Sequence, residues 1–302
     1  MTYARPSLTT DFDTVPRMPF WVTSGKAEAP EDAAFLSGAA LSYLHMVLGH
    51  DAVPQVLLRE RLALRAAEAC VAHSGRMERA GELRDAVHFL QPGDHPGPAG
   101  DTYLFWRRAV ERPISIKSLH RALPHVEPEQ IGSWLDAGQG APIAGAAPIA
   151  WAASVIEAVL KTNPRAQAQA LLLADAALAQ SLGGTHVIPL LGRGLRLRDL
   201  RVRGDDLRLV CHRAVVTAVK EATQEATDLA RRAARLRAVA PKLRAKGSDE
   251  AVALFLTRDA VAPAALTSLR SDRAARRLCD RLVDLGAVRE LTGRDTFRLY
   301  GV

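Results

Sequence analysis

Arginine side chains recur at helical spacing near the C-terminal end of the chain, at Arg273, Arg276, Arg277 and Arg281, with Arg270 just before them. A guanidinium group is permanently charged and carries five N–H donors, so it can pair bidentately with guanine in the major groove of B-DNA or bind a backbone phosphate. These residue types and their spacing predict a surface that contacts duplex DNA.

The helix that would carry these arginines begins at Ser271 and extends to Leu285. Ser271 is a good N-cap, Asp272 lies near the positive end of the helix dipole, and Gly286 can adopt the left-handed conformation that ends a helix. Apolar or small residues recur every three or four positions and predict one buried stripe, with the arginines outside it. The stripe consists of Ala274, Ala275, Leu278, Cys279, Leu282, Val283 and Leu285.

A β-hairpin is predicted after this helix, from strands over 288–291 and 296–300 joined by a turn over 292–295. Side chains alternate along a strand, so Phe297 and Leu299 would share one face of the second strand.

The hairpin would add Arg294 and Arg298 to the basic surface, because a basic wing can lie along phosphates or enter the minor groove. Before the basic helix, residues 250–257 are predicted as one helix and residues 263–266 as a second. The order helix, helix, helix, hairpin over 248–302 is that of a winged helix-turn-helix.

Two other interpretations remain open for this region. The arginines of the basic helix could pair with Asp280 and Asp284 on a solvated face. Winged domains also bind proteins, so the second hypothesis is an adaptor that uses the winged domain and the helical part as docking surfaces.

A weaker hypothesis is an enzyme centred on Asp85, His88, Asp94 and His95. Asp and His act as metal ligands or acid–base groups where they converge. Residues of this kind in a Pro- and Gly-rich loop also cap helices and form turns, with Asp94 accepting backbone N–H groups. We therefore expect neither a catalytic site nor a metal, and no cofactor.

The basic residues are concentrated in the last third of the chain. Residues 1–192 contain 16 Lys and Arg against 19 Asp and Glu, a net charge of −3, whereas residues 193–302 contain 24 against 14, a net charge of +10. Neutralising phosphates releases counterions, so a basic segment favours a polyanionic partner. We expect double-stranded DNA to contact the C-terminal third only.

Composition indicates packed helices, with 48% hydrophobic and 5% aromatic residues in a chain of 302. A chain of this length is expected to divide into one large and one small domain. Cys70, Cys211 and Cys279 lie far apart in apolar stretches, so we expect free buried thiols in a reducing cytoplasm. Neither a secretory signal nor a membrane span is predicted.

The predicted fold is all-α. An N-terminal arm over 1–30 precedes a helical bundle domain over 31–190, and a basic extended segment over 191–204 leads to a long connecting helix over 205–240. The winged domain over 248–302 follows. The predicted helices of the bundle are Glu31 to Leu48, Pro54 to His73, Arg76 to Leu90, Asp101 to Glu111, Ile116 to Leu123, Pro128 to Ala137, Ala146 to Lys161 and Pro164 to Ser181.

Leucine and arginine alternate over 195–203, a pattern that indicates a short strand or an extended linker. Its arginines would form either an additional basic strip facing nucleic acid or a solvated edge. They are Arg196, Arg198, Arg201 and Arg203. The preceding Gly-Arg-Gly at 192–194 resembles a phosphate-binding loop only weakly, because the GxxxxGK(S/T) pattern is absent.

The long helix carries a stripe of mostly small residues that allows close approach of another helix. That helix belongs either to the N-terminal bundle or to a second copy of the chain, so a homodimer through the long helix or the bundle is one expectation. Pro241 ends the helix. The stripe consists of Val215, Ala218, Ala222, Ala226, Leu229, Ala233 and Leu236.

Several segments resemble an uncharacterised alphaproteobacterial family of about 300 residues, often found in plasmid-bearing species. They include CHRAVVTAV, FLTRDAV, QPGDHPGPAG and SDRAARRLCDRLVDLGAVRELTGRDTFRLYG. The last thirty residues are also similar to the winged tail of Fic-type proteins, although the HxFxxGN signature of Fic catalysis is absent. The resemblance implies fold and cellular context and no catalytic residues. Together with the basic helix, it favours a cytoplasmic DNA-binding protein that regulates transcription or plasmid maintenance.

Overall fold

Alanine and leucine dominate the apolar content of the chain, and its computed structural model is accordingly helical. The structure describes residues 17–25, 27–91, 93–137, 147–243 and 246–302; most of the predicted N-terminal arm lies outside them. The described residues form thirteen α-helices and one two-stranded sheet. The helices are α1 (Phe20–Ser24), α2 (Pro30–Leu48), α3 (Gln55–His73), α4 (Ala80–His88), α5 (Gly97–Glu111), α6 (Ile116–Ala122), α7 (Pro128–Asp136), α8 (Pro148–Thr162), α9 (Gln167–Ser181), α10 (Leu191–Gly194), α11 (Gly204–Val239), α12 (Ser248–Phe255) and α13 (Asp272–Asp284).

The all-α prediction is confirmed, and the predicted bundle helices match α2 to α9 to within a few residues at most ends. One start differs for a local reason. A helix was predicted from Pro164, but Asn163 Oδ1 accepts from the backbone N–H of Arg165 and closes a turn there. The helix α9 therefore begins only at Gln167.

The long helix α11 has 36 residues, which corresponds to a length of about 54 Å. Its stripe of small residues is buried, from Val215 to Leu236, and the helix packs most extensively against α2 within the same chain. The stripe is thus the seam between α11 and the helical bundle. Because the stripe is covered within the chain, it is not free to join two copies; a homodimer through another surface of the long helix or of the bundle stays a prediction.

The segment predicted as a strand or extended linker is helical instead. It consists of α10 and a 3₁₀ helix, Leu197–Arg201. The alternation of leucine and arginine reflects burial rather than a strand, since Leu195 and Leu200 are buried while the arginines of the segment are mostly exposed. The glycines within α10 allow close packing, since a Cβ on Gly194 would lie 2.8 Å from the carbonyl oxygen of Ala214 on α11.

Substituting alanine for Gly192 is expected to lower the free energy of unfolding by about 1–3 kcal/mol, because the added Cβ overpacks the core. That Cβ would lie 2.3 Å from the indole of Trp106, which is fully buried. Gly132→Ala is the matched control on α7, where no atom lies within 4 Å of the added Cβ. Denaturant unfolding should separate the two variants; equal midpoints would contradict the close packing of Gly192.

The C-terminal part contains α12, a 3₁₀ turn at Pro263–Ala265, and α13. The strands that follow are β1 (Arg289–Glu290) and β2 (Tyr300–Gly301), paired antiparallel. Val261 forms an additional β-bridge with Tyr300. The chain order of elements is therefore the predicted one, with shorter strands.

The predicted second strand over 296–300 is wrong in its extent. Phe297 has a positive φ of 54°, which interrupts an extended strand. Its side chain is 70% exposed, whereas Leu299 is buried, so the two do not share a face. The residues of the loop between the strands hold one another instead, with Glu290 accepting from the backbone N–H groups of Thr292 and Gly293.

The three cysteines are buried and free, as predicted. Burial raises the pKa of the Cys70 and Cys279 thiols to about 12 and raises that of Cys211 as well. These thiols stay protonated near neutral pH and act as packing groups. Among the described helices, none combines the length and the apolar character needed to cross a membrane.

Candidate nucleic-acid interface

The basic helix α13 is built as its sequence predicts. Ser271 Oγ accepts from the backbone N–H of Ala274 at 3.2 Å, and Gly286 ends the helix with a φ of 61°. The stripe is buried at Ala275, Leu278, Cys279 and Leu282. Three predicted members of the stripe differ: Val283 is exposed, and Ala274 and Leu285 are only half-buried, because they lie at the edge of the contact.

All five arginines of this region, Arg270, Arg273, Arg276, Arg277 and Arg281, are exposed. Arg276 pairs with Asp272 one turn earlier, at 2.7 Å. The side chains of the other four make no hydrogen bond or ion pair with any described residue. The alternative pairing with Asp280 and Asp284 is therefore not formed.

Three of these arginines lie along one line of the helix. Arg273, Arg277 and Arg281 follow one another at intervals of four residues, so they are neighbours on the helix surface. Like charges at this spacing repel each other. An anion, or a regular series of anions, would therefore interact favourably with this row of exposed, unneutralised guanidinium groups.

The two arginines of the loop between β1 and β2 are used differently. Arg294 pairs with Asp85 on α4 at 2.8 Å and lies 5.3 Å from the ring centroid of Phe89. Phe89 also makes an edge-on contact with Phe297, and Arg298 donates to the carbonyl oxygen of Arg294. The loop is thus attached to the helical bundle, and its arginines are engaged with protein groups.

Three further arginines next to α13 were not predicted from the sequence. Arg235 of α11 donates to the carbonyl oxygen of Leu285 at 3.3 Å and so caps the end of α13. Arg289 on β1 is exposed without an anionic partner in the described part of the chain. Burial, together with the charges of Arg232 and Arg61, lowers its pKa. Arg232 and Arg235 lie outside the small-residue stripe of α11. Their position off this stripe is the sequence signal that could have predicted their exposure.

A buried ionic cluster joins this C-terminal part to the bundle. We call Glu60, Arg61, Arg84, Arg258 and Asp259 the ionic latch. The carboxylate of Asp259, fully buried, pairs with Arg61 and also with Arg84, whose Nη2 lies 3.1 Å away. Two guanidinium groups from α3 and α4 therefore share one carboxylate from the C-terminal part.

The second carboxylate of the ionic latch belongs to the bundle and binds groups of the C-terminal part. Glu60 of α3 pairs with Arg258 at 2.7 Å and accepts from the backbone N–H of Asp259 at 2.9 Å. Arg107 of α5 contacts the same carboxylate at 3.2 Å, and Arg61 donates to the carbonyl oxygen of Val302. The contacts join the segment after α12, at Arg258 and Asp259, and the terminal Val302 to the bundle in both directions, so they hold the C-terminal part on the bundle.

A model of one protein family matches residues 6–302, and its description is "Protein of unknown function (DUF1403)". The chain belongs to the DUF1403 family. This confirms the resemblance to an uncharacterised family that spans nearly the whole chain. No curated protein and no solved structure matches the chain.

The additional basic strip of the DUF1403 chain, Arg196, Arg198, Arg201 and Arg203, is exposed. It lies at the beginning of α11, whereas α13 contacts Arg235 near the end of that helix. At 1.5 Å per residue, α11 separates Arg203 from Arg235 by about 48 Å, while Arg196 lies nearer to the middle of α11, where the neighbouring Arg193 pairs with Glu221. The strip and α13 therefore do not form one short continuous surface.

The Asp and His residues considered for catalysis are dispersed in this DUF1403 chain. Asp85 pairs with Arg294, and Asp94 accepts from the backbone N–H of Gln91 in a turn, as expected. Burial and the charge of Arg107 lower the pKa of His88 to about 4. Within the described ranges, no three metal-ligating side chains lie together.

Proposed function

We propose that this DUF1403 protein binds duplex DNA through α13, in a winged helix-turn-helix formed by residues 248–302. The observation that carries the proposal is the set of four exposed arginines on and beside α13 that pair with no described residue, Arg270, Arg273, Arg277 and Arg281. DNA supplies phosphates and guanine edges at regular intervals, which suit such a row.

The order of elements supports the same interpretation. The helix α12 is followed by the bridge at Val261, the 3₁₀ turn at Pro263–Ala265, α13 and the pair β1–β2. A winged helix-turn-helix places the last of its helices in the major groove. The 3₁₀ turn occupies the position of the second helix, and α13 that of the recognition helix.

The contacts of the wing distinguish this proposal from the sequence-based expectation. Since Arg294 and Arg298 are engaged with protein groups, the wing contributes little to DNA binding. Arg232 and Arg289 take its place as phosphate contacts beside α13. The ionic latch holds the C-terminal part on the bundle, so α13 would meet DNA in a fixed orientation, which suits a regulator of transcription or plasmid maintenance.

Replacing Arg273 and Arg277 together by alanine is expected to weaken binding to a fluorescein-labelled random duplex at least about tenfold at low salt, because the variant cannot form two of the phosphate or base contacts. Fluorescence anisotropy measures the dissociation constant. The control, Arg196→Ala with Arg198→Ala, removes the same charge outside α13 and should change the dissociation constant little.

Equal weakening in the two double variants would mean that only net charge matters, and would contradict a site on α13. Absence of duplex binding by the wild type would overturn the proposal. In that case, a stable protein partner that remains after nuclease treatment would favour the adaptor.

A further inference from the structure

A cavity of about 550 Å³ opens between α2, α9, the start of α8, the loop before α10 and the first turns of α11. It is far from α13, so it does not belong to the proposed DNA surface. Its wall is mostly apolar, and its volume is within the usual range for small-molecule sites. The apolar wall includes Leu41, Leu44, Ile149, Leu178, Ile188 and Leu190.

The polar groups of the wall converge on one pair. Ser37 Oγ and His212 Nδ1 are 2.6 Å apart, and Ser37 Oγ also lies 3.0 Å from the carbonyl oxygen of Ala34, to which it can donate. Nε2 of His212 has no hydrogen-bond partner among the described residues. A ligand therefore finds one polar group available at the end of an apolar wall.

The charge balance of the wall favours an anionic head group. Three histidines, His45, His186 and His212, line the cavity, and Asp175 is the one acidic residue among its described lining. That carboxylate is 1% exposed and already accepts three backbone N–H groups that open α10. A cationic ligand would thus find in the described wall one carboxylate, and that one is buried and engaged in three hydrogen bonds.

We propose that this cavity binds a small amphipathic carboxylic acid, with its apolar body against the leucine and isoleucine wall and its carboxyl group at His212. A neutral imidazole can take the proton of a carboxylic acid at Nε2, and an imidazole that is already protonated can donate to a carboxylate. In both cases the imidazolium and the carboxylate form one charge-assisted hydrogen bond. The site is independent of DNA binding by α13.

Isothermal titration of the full chain with decanoate, below its critical micelle concentration, tests the assignment. The expected result is saturable binding of one decanoate per chain, with decylamine, which has a similar apolar body and a positive head, binding at least about tenfold more weakly. Equal affinity for the two, or no binding of decanoate, would overturn the proposal.

Two variants locate the ligand. His212→Gln removes the imidazole and should weaken decanoate binding at least about tenfold, whereas His125→Gln, at an exposed position outside the cavity, should not. Gly38→Phe adds a ring at an exposed lining position and should abolish binding while the unfolding midpoint stays close to that of the wild type. Undiminished binding by either cavity variant would contradict the site.

Discussion

Replacing Asp259 by alanine is expected to lower the free energy of unfolding by about 3–5 kcal/mol, because a buried ion pair that loses one partner leaves its other charge uncompensated. Here one carboxylate serves two guanidinium groups, those of Arg61 and Arg84. Arg84 would lose its carboxylate partner among the described residues, and Arg61, which is 4% exposed, would keep only the longer pair with Glu225 at 3.4 Å. Urea unfolding monitored by circular dichroism measures the change.

Asp272→Ala is the matched control for this substitution. It also removes a carboxylate that pairs with an arginine, Arg276, but both side chains are more than half exposed. An exposed pair of this kind contributes about 0–1 kcal/mol. Similar destabilisation in the two variants would contradict the view that the ionic latch holds the C-terminal part on the bundle.

The pH dependence of the wild type should carry the signature of Asp259. Burial alone would raise the pKa of this carboxyl, but Arg61 and Arg84 outweigh burial and lower it below its ordinary value of 3.8. The folded state therefore releases this proton more readily than the unfolded state. The resulting stability is present above about pH 4 and is lost as the pH falls through the lowered pKa.

Replacing Asp175 by alanine is the second substitution with a large expected effect, a destabilisation of about 3 kcal/mol or more, because three buried N–H donors lose their acceptor. Its Oδ1 accepts from Leu190 and Leu191 at 3.1 and 2.8 Å, and its Oδ2 accepts from Gly192 at 2.9 Å. The side chain is 1% exposed. Thermal and denaturant unfolding should both show the destabilisation.

Asp94→Ala provides the comparison, since Asp94 also accepts a backbone N–H, that of Gln91, but does so in an exposed turn. Water can take over that donor, so we expect a destabilisation of at most about 1 kcal/mol. If Asp175→Ala were no more destabilising than Asp94→Ala, the start of α10 would not depend on the carboxylate.

Asp175 should affect the pH dependence with the opposite sign to Asp259. Burial raises its pKa to about 7, although the three N–H groups each lower it. The folded state then binds this proton more tightly than the unfolded state. Its contribution to stability is full below about pH 4 and is lost as the pH rises towards 7. The neutral variant Asp175→Asn should lack this slope between pH 4 and 7; an unchanged slope would contradict the assignment.

The helices were predictable because each follows from a pattern of residues that are close together in the sequence. The stripe of α11 and the cap of α13 at Ser271 depend on residues within a few turns of one another, so the sequence contains them directly. The prediction of a strand over 296–300 was wrong in its extent because the structure there depends on a distant contact. Alternation described the side-chain types there, but the positive φ of Phe297 and its contact with Phe89 depend on α4, far away in the chain.

The interactions that position the site were not predictable in the same way. In the ionic latch Glu60 and Arg258 are almost 200 residues apart, and each alone resembles an ordinary surface charge on a helix. Likewise, Ser37 and His212 meet only because α2 packs on α11. Nothing in the spacing of the histidines indicated a shared cavity, since the wall is assembled from several distant elements.

The central claim, that the arginines on and beside α13 bind DNA phosphates, is tested most directly by the slope of log K against log salt concentration. The measurement compares the wild type with a variant in which Arg270, Arg273, Arg277 and Arg281 are all glutamine. Removing one arginine–phosphate interaction should reduce the magnitude of the slope by about 0.9, so the expected reduction for all four is about 3 to 4 units. Identical slopes for the two proteins would contradict the claim.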